Sequence, residues 1–172
     1  MKEDENNDLP WMSEDIKKTI EHRDKIVKEQ DINGLFQLAD NSDFSIALSE
    51  IINNRCDYNP DRLNNTQRVL FLCMRLEDAG QADHILSFLQ EEYSQWKHEA
   101  VNALKEIGAI KSAEIIRQAI DLLPENNEWF FDTADEHSEK LMNQHDRDFS
   151  NYPDGSMPEL YRKYAEKNRN DL

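Results

Sequence analysis

Between Trp96 and Pro124 the apolar residues return every three or four positions, and this run limits the fold more than any other feature. Trp96, Ala100, Val101, Ala103, Leu104 and Ile107 form one set; Ala113, Ile115, Ile116, Ala119, Ile120 and Leu123 form the next. That period lays each set along one face of an α-helix. Gly108 stands just past the first set, where a helix end calls for a left-handed residue, and Pro124 stops the second. Two helices joined by so short a turn lie antiparallel as an αα-hairpin, which is expected at the centre of the core. The remaining sequence agrees. Only four glycines and five prolines occur in 172 residues, and no stretch shows the strict alternation of a half-buried strand. Asn33-Gly34 is flanked by helix-like sequence rather than by β-branched runs. The fold class read from this is all-α, a compact multi-helix bundle with a central αα-hairpin.

Further helices follow from caps and stripes. Ser13 suits the N-cap of a helix to about Glu29 that carries Ile16, Ile20, Ile26 and Val27. Leu35, Phe36, Leu38 and Ala39 suggest a short helix, and Phe44, Ala47, Leu48, Ile51 and Ile52 another. The Asn-rich stretch 53–64, with Pro60, reads as a connection. It divides the chain into an N-terminal helical extension, 1–60, and a module, 61–172. Asn65 could cap a helix through Val69, Leu70, Leu72, Cys73 and Leu76 that stops at Gly80, followed by one through Ile85, Leu86, Phe88 and Leu89. Ser156 and Glu159 have the spacing of a capping box for a last helix from about Pro158 to Asn168. Arg162, Lys163, Lys167 and Arg169 then complement that helix's C-terminal end. Residues 1–12 read as a loose arm with Trp11 docked on the domain. Trp96, Trp129, Phe130, Phe131, Tyr161 and Tyr164 read as core.

Charge narrows the function classes. With 36 acidic and 20 basic side chains the formal net charge is −16, which disfavours direct binding to nucleic acid or to an anionic membrane. It favours a basic partner, or simply solubility. Cys56 and Cys73, the only cysteines, have neither zinc spacing nor a disulfide framework. Met1 to Asp8 lacks an apolar signal region, and no stretch has the length of an apolar span. These features lead to an expectation of a cytoplasmic protein. No nucleophile elbow, phosphate-binding loop or dinucleotide fingerprint occurs, so no enzyme activity and no cofactor are expected. His145 with Asp146 and Asp148, read as a loop, is the one remote place for a metal, and it lacks paired ligand spacing.

The module also carries a resemblance. Tyr93 to Pro124, with Ala103-Leu104-Lys105-Glu106-Ile107-Gly108-Ala109 and Ala119-Ile120-Asp121-Leu122-Leu123-Pro124, resembles the C-terminal module of the bacterial DNA-mimic protein family. The tail fits it too, with Phe149, Tyr152, Pro153-Asp154 and Leu160-Tyr161-Arg162-Lys163-Tyr164. One departure is Ala79-Gly80-Gln81-Ala82, where that family has Asn-Gly-Gly and an aromatic. The resemblance spans roughly residues 66–170. It implies a compact all-α fold whose surface carboxylates imitate duplex DNA and sequester a basic DNA-binding protein such as a transcription factor.

The composition after Pro124 is compatible with that role. Residues 125–154 hold nine acidic and two basic side chains. DNA carries one negative charge per about 1.7 Å of axis, and helical neighbours at i, i+3 and i+4 stand about 5–6 Å apart. Glu125, Glu128 and Asp132 follow that spacing, as do Asp132, Asp135, Glu136 and Glu139; Asp146, Asp148 and Asp154 extend the candidate partner-binding surface. The alternative stays open: a general protein–protein interaction module, of scaffold or immunity type, whose acids serve solubility. A homodimer is compatible with either.

Overall fold

Short polar side chains set most of the helix starts. A computed structural model describes residues 12–172; the expectation for the arm and Trp11 falls on residues outside that range. Ser13 accepts the Ile16 N–H at 3.3 Å and opens α1 (Glu14–Glu29). After the single turn α2 (Ile32–Leu35), Asp40 accepts the Ser42 and Asp43 N–H groups at 2.8 and 3.0 Å and opens α3 (Asn41–Cys56). Asn64 accepts from Gln67 N–H at 2.9 Å to open α4 (Asn65–Ala82). Next come α5 (Lys97–Ile107), α6 (Ile110–Asp121) and the single turn α7 (Phe130–Thr133). Asp135 opens α8 (Glu136–Ser150), and Ser156 opens α9 (Met157–Lys167). Each of these side-chain oxygens satisfies an N–H that has no partner inside its helix. Gly108, at φ 94°, closes α5 in the left-handed conformation expected of it. Among the described residues every regular element is helical.

The apolar pattern then decides the packing. In α4 the residues from Val69 to Met74 are all buried, so this helix is covered on every side. The α5–α6 hairpin packs on it through α5, while α8 rests on both α4 and α6. On the opposite flank α3 contacts α4 and α9, and α1 lies over α3. One apolar core runs without a break from Ile26 to Ala165. It crosses the stretch between the N-terminal helices and the module.

Four local expectations change. The helix containing Phe44 continues to Cys56, because Asn53 is buried and bonds Ser49 Oγ at 3.4 Å; only the left-handed Asp57 ends it. Gly80 does not stop its helix. A Cβ there would lie 3.0 Å from Phe149 Cδ1, so this glycine lets α8 approach α4 closely, and the Ser150 hydroxyl donates to the Gly80 carbonyl at 2.8 Å. Residues Ser87–Glu92 form one wide π-helical turn that buries Phe88 and Leu89. Lastly, two of the tail bases do not serve the end of their own helix. Arg162 donates to the carbonyls of Leu38 and Ala39 and to Asn41 Oδ1, and its guanidinium lies 4.5 Å from the centre of the Phe44 ring. Arg169 donates to Asn33 Oδ1 at 2.7 Å and lies 4.5 Å from the centre of the Phe36 ring. Both strap the N-terminal elements onto the module.

Candidate functional site

Pro124 ends α6, and the chain runs through a turn with Asn127 at φ 58° before one helical turn at α7. Glu125 and Glu128 are exposed on this connection, so the helical row drawn through them from spacing does not form; Glu125 lies in a turn and Glu128 on irregular backbone. The Gln90 side chain fixes that backbone. Its amide donates to the Glu128 carbonyl at 3.0 Å and its oxygen accepts the Phe130 N–H at 2.9 Å. Phe130 is buried at 1 % exposure and anchors the segment. Its neighbours turn outward: Trp129 and Phe131 keep 37 % and 38 % of their surface in water, against the expectation that they belong to the core.

Asp132 is exposed on α7, and Asp135 caps α8 by accepting the Ser138 N–H at 2.7 Å. That hydrogen bond holds the Asp135 carboxyl below the ordinary carboxylate range. Glu136 and Glu139 follow in the first turn of α8, where the helix dipole favours negative charge and offsets their mutual repulsion. Glu136 is paired with Lys140 at 2.6 Å on the open surface. Among the described residues Glu125, Glu128, Asp132 and Glu139 have no basic partner.

The other three acids have other duties. His145, Asp146 and Asp148 lie on α8 rather than in a loop. Asp146 accepts the Ile85 N–H at 2.8 Å and lies 3.6 Å from His84 Nδ1, so it secures the start of the segment after α4. Asp148 accepts from Gln144 at 2.6 Å on the same helix. Asp154 reaches the start of α6, which has no cap of its own. It accepts the Lys111 N–H at 2.9 Å, and the Ser112 N–H and hydroxyl at 2.7 Å each. Burial alone would raise its pKa, but these donors outweigh burial and hold the carboxyl below its usual range. The acids left without such a duty are Glu125 and Glu128 on the connection, Asp132 on α7, and Glu136 and Glu139 in the first turn of α8; Asp135 caps that helix and stays exposed, and only Glu139 of the six is half-buried.

Among the described residues no three His, Cys, Asp or Glu side chains are arranged to hold a metal ion. Both cysteines are free and buried, and burial raises their thiol pKa values, so neither is an activated nucleophile. No described helix is long and apolar enough to cross a membrane.

The described residues define an all-α, acid-rich protein in which the exposed Trp129 and Phe131 stand between the exposed Glu128 and Asp132 in sequence. Residues 61–168 match the family of DMP19-like proteins, and the chain belongs to that family. Comparison with curated proteins and with solved structures gave no match.

Proposed function

We propose that the protein binds a basic DNA-binding protein, such as a transcription factor, by presenting carboxylates where duplex DNA presents phosphates, and so blocks its access to DNA. The observation that carries this reading is the run of exposed acids Glu125, Glu128, Asp132, Asp135 and Glu136, followed by the half-buried Glu139, on a chain of net charge −16 that belongs to the DMP19-like family. The role calls for no catalytic step and no cofactor. The net charge argues against direct binding of nucleic acid by this chain, since its acids repel phosphates.

Long-range attraction to a basic face steers encounter and weakens with salt, because exposed charges are screened beyond about 8 Å at physiological ionic strength. The capping role of Asp135 shapes the choice of variant. Charge reversal there would remove a helix cap as well as a charge, whereas among the described residues the side chains of Glu128, Asp132 and Glu139 accept no hydrogen bond that supports the backbone. Partners captured from a cell extract on the immobilised protein should elute with moderate salt and be displaced by duplex DNA. The purified partner should lose its DNA complex when the protein is added. A partner that stays bound at high salt and is indifferent to DNA would defeat the proposal. That outcome would favour the second reading, an interaction module working through apolar contacts, for which the exposed Trp129 and Phe131 are the specific support.

A further inference from the structure

Trp129 and Phe131 are exposed by construction. The backbone on both sides of Trp129 is held by the two Gln90 hydrogen bonds, and Phe130 between the rings is sunk in the core. The Trp129 and Phe131 rings stand 6.2 Å apart at 60°. Phe131 is braced edge-on by Phe130 at 5.2 Å and by His84 at 5.9 Å. His84 is itself held, accepting the Leu86 N–H on Nδ1 at 3.2 Å and facing Asn143 Oδ1 with Nε2 at 3.4 Å. Keeping two large rings in water forgoes about 25 cal/mol for each Å² left uncovered, and this segment is nevertheless pinned from several sides.

The surroundings specify the occupant. Glu128 and Asp132 flank the rings in sequence, are exposed, and have no basic partner among the described residues. Elsewhere in the chain, arginines sit over aromatic faces: Arg68 over Trp96 at 5.3 Å, Arg162 over Phe44 at 4.5 Å and Arg169 over Phe36 at 4.5 Å. Among the described residues no cation is stacked on Trp129 or Phe131. A planar guanidinium stacks on such rings while its edge donates in a fork to carboxylates; a lysine ammonium, more strongly hydrated and without a plane, does this less well.

We infer that Trp129 and Phe131 form a docking platform for an arginine side chain of the basic partner, with Glu128 and Asp132 receiving its charge. This rests on the proposed function and adds a recognition element that charge alone does not provide: a preference for arginine over lysine. The test titrates the whole protein with an oligoarginine peptide and an oligolysine peptide of equal length and charge, at low and moderate salt, by calorimetry. The wild type should bind oligoarginine more tightly, by about twofold and at most about fivefold, the size of a whole exposed cation–π contact. In the Trp129→Ala/Phe131→Ala double variant the preference should vanish while the salt-sensitive binding common to both peptides persists. Trp129→Ala alone should reduce the preference and serves if the double variant loses its helical circular dichroism. Equal binding of the two peptides by the wild type, or a preference retained in the variants, would overturn the platform and leave the acidic-surface reading standing. Binding of neither peptide at low salt would overturn both.

Discussion

Replacing Asp154 by alanine removes a carboxylate that holds two parts of the chain together across 42 positions. Three donors lose their acceptor: the Lys111 N–H, the Ser112 N–H and the Ser112 hydroxyl. Lys111 is exposed and its N–H regains water, but Ser112 is only 2 % exposed, so its two donors have little recourse. A buried donor left unsatisfied costs about 1–3 kcal/mol, and loss of a helix cap costs about 0.5–2 kcal/mol. These overlap, and the expected loss is about 2–4 kcal/mol. Asn at this position keeps acceptor capacity without the charge and should cost roughly half as much, since charge-assisted bonds are about twice as strong as neutral ones. Urea unfolding should show a lower midpoint at an unchanged slope. The pH dependence follows from the depressed folded pKa. Its contribution is fully present above the ordinary value of 3.8 and is lost as pH falls through the folded value. The gap between wild type and variant should therefore be constant near neutrality and narrow only on strong acidification. A loss below about 0.5 kcal/mol at pH 7 would refute the capping argument, because two bonds from a buried serine and one from Lys111 do not allow it.

Arg162→Lys should destabilise the fold by about 1–3 kcal/mol by removing the guanidinium fork onto the Leu38 and Ala39 carbonyls and its stack on Phe44; greater proteolysis within residues 30–45, read by mass spectrometry, would locate the effect. Gly80→Ala gains about 1 kcal/mol of helix propensity but must displace the buried Phe149 ring, at about 1–3 kcal/mol. Net destabilisation in chemical denaturation is the expected sign, and a stabilised variant would show that α4 and α8 are not in close contact. Glu77 accepts from the Tyr161 hydroxyl at 2.7 Å, and burial raises its pKa despite the opposing hydrogen bonds from Tyr161 and Tyr152. A raised folded pKa gives stability that is complete below the ordinary value of 4.5 and lost as pH rises through the folded one. Glu77→Gln should accordingly flatten the stability profile between that value and neutrality, and an unchanged profile would contradict the assignment.

Where the structural cause is local, the sequence was readable. Ser13, Gly108, Pro124 and Ser156 act on groups within a turn of themselves, and each does what its position suggested. Gly80 shows the limit. A glycine after an apolar run looks like a helix end, but its reason here is Phe149, a distant residue whose ring would meet a side chain. The acids divide in the same way. Spacing groups Asp146 and Asp154 with the surface carboxylates, yet donors on Ile85, Lys111 and Ser112 make them caps. Spacing also drew Glu125 and Glu128 into a helical row, although Pro124 and the Gln90 clamp leave them on an irregular backbone. Which of Trp129, Phe130 and Phe131 faces inward depends on that same remote glutamine. A pattern within one segment carries no information about donors supplied from another.

Under the proposed function, carboxylates near α7 and the start of α8 occupy the DNA-binding face of a basic partner. The most direct test is the affinity of the purified partner for the wild type and for the Glu128→Lys/Asp132→Lys/Glu139→Lys variant, measured across a salt series with and without duplex DNA. The wild type should bind tightly and salt-sensitively, with DNA competing the partner away, and the variant, its fold unchanged, should lose at least tenfold, roughly 1.4 kcal/mol. Full affinity in the charge-reversed variant, or simultaneous binding of protein and DNA by the partner, would contradict that function.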